Sequence, residues 1–506
     1  MTTSWRRWRG IVLLLVGVVG AAVLWQAWNY AAHPAGPKDC SPAAPPSAEG
    51  TVINDVSCLN PTRVHSIVTV RDVDDVRQAF TLARTYGVKV SIAGARHSQG
   101  GHAFASNNIV LDMRSFNRMA LDETAGVLTV QSGATWHDIQ NRLHPQYAVK
   151  AMQSTDVFTV GGSISVNAHG MDHQAGSVGR TVRSMRVMLP DGGVHTVSRQ
   201  QEPELFRLVV GGYGLFGVIL DAEIEITRNA VYRSAREVID YQSFPAFFEG
   251  KIVRDQTYRL MYAHLSTAPQ SYLREMLVYT YQDVNASIAQ IPPLGEVEGV
   301  RLRRLVFNFS KLGSVPMRIK WWAEKYLEPR LESCPAGESD GCLVSRNHPM
   351  HDSVPYLMNR LSGETDILQE YFIPRDRFVE FVDGVRRITL ANRANLLNAS
   401  VRVVHQEDNY LTYAPRDMFA VVLYLNQKTD QRGNARMVQL TRDLIELTLA
   451  NGGRFFLPYQ LHYTDTQLRR AYPEIDAFFR AKQTYDPGRV LTNTFYNKYA
   501  PLILAQ

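Results

Sequence analysis

Ala93-Gly94-Ala95-Arg96-His97-Ser98-Gln99-Gly100-Gly101-His102 is the stretch on which the reading of this chain turns. It follows the β-rich run Val88–Ala93 without a spacer. Its small residues leave the backbone free to turn successive N–H groups inward as an anion nest. On either side, Val64–Val70 is β-rich and Ile109–Met113 reads as a further strand. Between them Asp72–Tyr86 has helical periodicity, with Val73, Val76, Phe80 and Ala83 on one face. A second unit comes next: strand Val127–Gln131, short helix Thr135–Leu143, a hairpin of Val182–Leu189 and Val194–Val197 about Asp191-Gly192, and strand Val218–Ile226. Residues 61–228 are therefore expected to form an α+β domain of two small lobes.

A second small-residue loop, Thr159-Val160-Gly161-Gly162-Ser163-Ile164-Ser165, leads into SISVNAHG, which is expected to begin a helix. Its dipole would favour an anion. Two such loops point to a large diphosphate cofactor, although the pattern alone also admits two structural turns. Gly212-Tyr213-Gly214-Leu215-Phe216-Gly217 fits the dinucleotide motif G-x-G-x-x-G, but the residues after it (VILDAEIEI) alternate like a strand. Phosphate binding by that motif needs a helix to open there, so the stretch reads as a tight turn instead.

AGARHSQGGH, FTVGGSISVNAHG, GGYGLFGVI and the terminal YDPGRVLTN, in that order, resemble the vanillyl-alcohol-oxidase superfamily, nearest its sugar and aldonolactone oxidases. The resemblance covers roughly 61–228 and 456–506 well and 360–430 loosely. It implies a two-lobed FAD-binding domain of the PCMH type at 61–228 and an α+β substrate (cap) domain at 229–455. Residues 456–506 would return to the FAD-binding domain. It implies a diphosphate cradle from Gly94, Ala95, Arg96, His97 and Ser98, continued by Thr159, Gly161, Gly162 and Ser165. His169 would lie at the flavin edge, and Val218 and Ile219 would meet the cofactor through their main chain. Asn493 would touch flavin or close the domain. The His-Ser pair makes His97 the candidate for covalent attachment to the flavin 8α-methyl, with His102 a weaker alternative. Arg96 departs from the family, which has glycine there.

For the substrate wall, Gln369-Glu370-Tyr371-Phe372-Ile373-Pro374 resembles the family's EY-x-x-P strand, and Ser400-Val401-Arg402 its E-x-R pair with the glutamate replaced. Pro458-Tyr459-Gln460-Leu461-His462 stands where these enzymes carry P-H-W-G-K, so His462 replaces a lysine. The catalytic candidates are His462 as general base, whose ordinary pKa of ~6.5 suits proton abstraction, Arg402 as the cation for reduced-flavin charge, and Tyr371. The implied activity is oxidation of an alcohol or lactol C–OH of a sugar-, lactone- or polyol-like substrate, with oxygen or a redox partner as acceptor. A flavin C=C reductase with non-covalent FAD, or a catalytically silent binding protein, are the alternatives.

Ahead of this body, Arg6, Arg7 and Arg9 precede an apolar run from Ile11 to Trp28. Eighteen helical residues span ~27 Å, enough for one transmembrane helix, and the positive-inside rule would send the rest across the membrane. A cleaved signal peptide ending near Ala31-Ala32 is the other reading; either places the body outside the cytoplasm, whereas an inverted orientation would keep it inside. Residues 34–60 read as a linker. Cys40 and Cys58 flank one Pro-rich segment, and Cys334 and Cys342 bracket another loop, which suits two local disulfides. The basic, Trp-containing stretch 301–325 raises a membrane surface and a lipid-linked substrate, against the alternative of a solvated helical face. With 54 basic and 48 acidic residues over 506 positions, charge gives no case for nucleic acid. Without a CxxC pair neither a zinc ribbon nor a thioredoxin-type site is expected, and no metal ligands are singled out.

Overall fold

Three sheets carry the architecture, and their order follows the sequence. A short hairpin of β1 (Thr51–Ile53) and β2 (Thr62–Val64) leads into a parallel sheet of β3 (Ser66–Thr69), β4 (Val90–Ala93) and β5 (Ile109–Asp112), in the order β3-β5-β4. Helix α1 (Val73–Tyr86) crosses over it. Asp72 caps α1 by accepting from the Asp74 and Asp75 amides, and Gly87 ends it at φ 65°. Val76, Ala79, Phe80 and Ala83 face the sheet. The computed structural model describes residues 50–295, 300–328, 342–351, 361 and 363–505, with six helical positions (17, 20, 21, 24, 25 and 28) in the N-terminal apolar run. The rest of that run, and so the expected membrane helix, lies outside the described residues; among the described residues no helix is long and apolar enough to cross a membrane.

The second sheet is antiparallel. It holds β6 (Met119–Asp122), β7 (Val127–Gln131), β8 (Tyr147–Val149), β9 (Val182–Met188), β10 (Val194–Ser198) and β11 (Val218–Arg228), in the order β10-β9-β11-β7-β6 with β8 on the far end of β11. Helices α2 (Trp136–Leu143), α3 (Val160–Val166) and α4 (Pro203–Val209) accompany it. The expected hairpin at Asp191-Gly192 is present, and a strand, β11, follows Gly217 rather than a helix. Helix α3 starts earlier than expected, at Val160, because Thr159 caps it through the Gly162 amide at 3.3 Å.

The third sheet has eight strands: β12 (Val231–Asp240), β13 (Tyr258–Leu265), β14 (Glu275–Asp283), β15 (Leu343–Ser345), β16 (Glu364–Pro374), β17 (Asn395–Val404), β18 (Met418–Lys428) and β19 (Arg454–Phe455). Their order is β15-β12-β14-β13-β17-β18-β16-β19. Its period-2 alternation divides two faces. Tyr371, Ile373, Val401, Val421 and Leu423 form one core with Phe381, Leu440 and Leu444 of the helices Phe378–Ala391 and Gln431–Ala450. On the opposite face Leu277 and Tyr279 meet Trp321, while Tyr424 meets Phe307 and Met317. These come from α5 (Val300–Ser310) and α6 (Ser314–Tyr326). The C-terminal segment runs beside β4: the Val90 amide donates to Val490 and the Thr492 amide to Val90. Buried Asp486 holds that turn by accepting from the Val490 and Leu491 amides. Cys58 and Cys342 are disulfide-bonded; Cys40 and Cys334 lie outside the described residues.

Candidate active site

The first glycine-rich loop leaves β4 and presses against the second. An ideal Cβ on Gly94 would lie 2.1 Å from Thr159 Oγ1, and one on Gly161 2.6 Å from Ser132 Cβ. Only glycine permits these approaches. No described acceptor takes the backbone N–H of Gly94, Ala95, Arg96, His97 or Ser98. Buried Ser132 Oγ, beside Gly161, is also without a partner. Five successive amides without an internal acceptor and an adjacent hydroxyl form a surface that suits an anion. Arg96 sits in the left-handed region at φ 56°, and its carbonyl accepts from the Val56 amide at 3.1 Å. That conformation is why glycine is the natural residue there. The His97 ring stands edge-on to Phe158 at 4.8 Å, and burial pushes its pKa down to about 4. It is therefore a neutral imidazole near pH 7. His102 is deeper, packed on Tyr213 and Phe495, and burial takes it to about 3 against an opposing Leu457 backbone contact.

Beyond α3 the chain turns at Asn167, φ 49°. Its side chain accepts from the Gly179 amide and donates to Glu407 and Asn409, and its carbonyl accepts from Tyr413. This fixed turn directs His169 onto the eight-stranded sheet. His169 Nε2 lies 2.6 Å from Glu370 Oε1, while its buried Nδ1 has no partner. Phe372, Tyr413 and Phe456 wall the ring. Tyr459 donates to the other Glu370 oxygen at 3.3 Å. Register puts Phe372, Ala420 and Arg402 in one row and Glu370, Val422 and Ser400 in the next. Glu370, Ser400 and Arg402 thus share a face. Burial lowers the Arg402 pKa, opposed by the charge of Glu370, and its Nε has no partner. Along the same face His264 is opposite Ser400; its Nδ1 is unpartnered and burial pushes its pKa to about 4. The result is a desolvated acid–imidazole pair beside a guanidinium with unused hydrogen-bonding capacity.

Several expected residues stand elsewhere. Tyr371 occupies the opposite face, its hydroxyl donating to Gln369 and its ring against Phe381. The residue on the site face is its neighbour Glu370. His462 is flanked by Lys498 and Arg442, whose charges join burial in lowering its pKa to about 4; no described contact links it to Glu370, His169 or Arg402. Asn493 spends its side chain on structure, capping the helix Thr494–Leu504 at Tyr496 and donating to the Tyr213 carbonyl. Val218 and Ile219 pair with Met188 and Val187 at the start of β11. Ser165 lies in the last turn of α3, its carbonyl accepting from the Tyr213 amide. The sequence places Glu370 and Tyr459 in the stretches expected to wall the substrate but gives neither a role. The strand alternation around Glu370 was the available signal, but its phase relative to the site was not.

Comparison with known proteins gives the context. Residues 64–198 match the family described as FAD binding domain. The chain is 32% identical over 196 residues to an uncharacterized oxidoreductase in the fasciation locus of Rhodococcoides fascians, covering 38% of this chain and 44% of that protein. It is 24% identical over 463 residues to the decaprenylphosphoryl-beta-D-ribose oxidase of Mycolicibacterium smegmatis, covering 85% and 93%. With the D-arabinono-1,4-lactone oxidase of Candida glabrata it shares 24% over 177 residues, 34% of each chain.

Proposed function

We propose, from the premise that this chain is an FAD-linked oxidoreductase of the vanillyl-alcohol-oxidase superfamily, that it oxidises a sugar-like C–OH at the His169–Glu370 pair. The observation that carries the reading is the 2.6 Å contact between those side chains on a face that also holds Arg402. The loops fit FAD: the Gly94–Thr159 approach and the acceptor-free amides of Gly94–Ser98 suit a diphosphate. Gly94, Ala95, Arg96, His97 and Ser98 would hold it, with Thr159, Gly161, Gly162 and Ser165 continuing the cradle. When bound, FAD accepts the hydride equivalent that leaves the alcohol carbon.

The protein's part is proton handling and exclusion of water. Glu370 accepts from His169 Nε2–H, which leaves the lone pair at Nδ1 to take the substrate hydroxyl proton. Tyr459 holds the second Glu370 oxygen. Arg402 provides fixed positive charge for the anion that develops as the alcohol is oxidised. The aromatic wall of Phe372, Tyr413 and Phe456 keeps the pair dry. His462, held neutral by burial with the charges of Lys498 and Arg442 adding to it, is assigned a lesser role. His97, neutral and partly accessible, is the proposed tether to the flavin. Electrons leave to oxygen or a redox partner.

A lipid-linked substrate and a membrane-attached body outside the cytoplasm complete the proposal. On α6, Val315, Ile319, Trp322 and Tyr326 are 62%, 49%, 53% and 50% exposed and share one helical stripe. Exposed Arg318 lies beside it, while Lys311, Lys320 and Lys325 of the same basic stretch are consumed in ion pairs with Asp366, Glu324 and Glu275. The exposed apolar stripe, rather than the paired cations, is what suits the interfacial region of a leaflet. The apolar N-terminal run supports this, as does a relative whose name carries a decaprenylphosphoryl substrate. The disulfide-bonded Cys58 and Cys342 suit an oxidising compartment. The test is anaerobic: sugars, aldonolactones and polyprenylphosphoryl pentoses are mixed with the yellow protein and the flavin absorbance is followed. Bleaching by at least one C–OH donor is expected, with loss of bleaching in His169→Ala. Persistent oxidised absorbance with every donor would refute the reading.

A further inference from the structure

The described residues bring together one group of side chains that the oxidation does not use. His137 lies on α2, Asp156 in the loop before α3, and His351 in the turn after β15. We propose that His137, Asp156 and His351 form a divalent-metal site, with zinc the fitting ion, that clamps the FAD-binding lobe to the eight-stranded sheet. Ligand-capable atoms of all three lie within 4.8 Å of one another. His137 Nδ1 is 2.8 Å and His351 Nδ1 3.4 Å from Asp156 Oδ2. A tetrahedral site with bonds of about 2.0–2.1 Å has edges of roughly 3.3 Å, so these separations need only small adjustments around an ion.

Two imidazoles and one carboxylate form a borderline donor set that zinc accepts, with a position left for water. The rings stack at 4.6 Å and 16°, so binding one ion requires one ring to turn until both in-plane lone pairs meet it. Gln140 Oε1 lies 2.9 Å from His351 Nδ1, a contact that an ion at Nδ1 would replace, and the Gln140 amide donates to the Asn347 carbonyl at 3.1 Å. Asp156 and His351 are about 1% exposed and His137 29%, so the site is anchored in the interior with one ligand at the surface for ion entry. The turn bearing His351 is already interlocked: Asn347 donates to the Tyr147 carbonyl, and Arg346 to Val149, Lys150 and Asp172. An ion here would tie α2 to that turn.

The experiment uses the full chain with its flavin. The protein is equilibrated with Zn²⁺, dialysed against metal-free buffer and analysed for zinc, and Co²⁺ is titrated in parallel to record the ligand-field bands of a low-symmetry site. One zinc per chain is expected in the unaltered protein and background zinc in His137→Gln, which keeps an N–H donor for Asp156. Its metal affinity should fall by more than the ~10–100-fold that loss of an outer partner costs. Flavin absorbance reports folding, and because His137 is partly exposed this variant remains informative if His351→Gln does not fold. Equal zinc in the unaltered and His137→Gln proteins, or none in either, would overturn the assignment and leave a hydrogen-bonded His–Asp–His cluster.

Discussion

Gly94→Ala tests the cofactor cradle most directly. The added methyl would sit 2.1 Å from Thr159 Oγ1 and 3.2 Å from Thr159 Cβ and Cγ2. An ordinary contact is about 3.5–4.0 Å, so the hydroxyl must yield by about 1.5 Å. That hydroxyl is the cap of α3, accepting from Gly162. Overpacking costs about 1–3 kcal/mol and loss of the cap about 1 kcal/mol. If the strain falls on the loop that binds the cofactor, the sum of about 2–4 kcal/mol corresponds to roughly 30- to 900-fold weaker flavin binding. The assay is fluorescence titration of apoprotein in a His97→Ala background, which removes any covalent tether. Thr159→Ala removes Oγ1 and Cγ2, so the double variant should recover most of the packing loss but not the cap. Unchanged flavin affinity in Gly94→Ala would refute the claim that the two loops close on one cofactor.

Glu370→Gln should lower turnover by ~10²–10⁴-fold, in line with loss of oriented acid–base catalysis, while leaving the protein yellow; His462→Ala should cost far less, and stopped-flow reduction separates them. Arg96→Gly should raise the denaturation midpoint through relief of about 1–2 kcal/mol of left-handed strain, at the expense of a cation near the loop; chemical denaturation reads the first and flavin titration the second. The depressed pKa values of His97 (about 4), His264 (about 4), His462 (about 4) and His102 (about 3) mean that the unfolded chain binds more protons below its ordinary ~6.5. Their stabilising contribution is complete above pH ~6.5 and is lost as pH falls from there toward the folded values. His102→Phe, which suits the stack on Phe495, should shallow that acid slope in pH-dependent melting.

Local patterns carried the front half of the chain. The α1 cap, the Asp191-Gly192 hairpin and the strand after Gly217 each depend on residues a few positions apart, so periodicity and turn chemistry suffice to read them. The site needed more. Whether Glu370 or Tyr371 faces Arg402 is set by pairing of β16 and β17 with β18, and a shift of one residue would exchange them. Nothing near position 370 in the sequence fixes that phase. His462 shows the same limit: its neighbours Arg442 and Lys498 come from separate helices, so their effect on its charge is invisible locally. The His137–Asp156–His351 group likewise joins two distant parts of the chain.

The register also accounts for the departure at Ser400. A glutamate expected beside Arg402 on β17 is missing, yet Ser400 opposes Val422, and Val422 opposes Glu370 on the far side of β18. A carboxylate therefore remains on the same row and face, displaced by two strand spacings or ~10 Å at the backbone. Glu370 acts on the Arg402 charge from there, and Tyr459 and His169 hold it. Ser400→Glu in a Glu370→Gln background should restore a negative charge beside Arg402 on β17 without restoring the contact to His169. If charge alone matters, flavin reduction recovers toward the unaltered rate; if His169 must be oriented, the double variant stays as slow as Glu370→Gln. The geometry favours the second outcome. Full recovery would move the proton-accepting role away from His169.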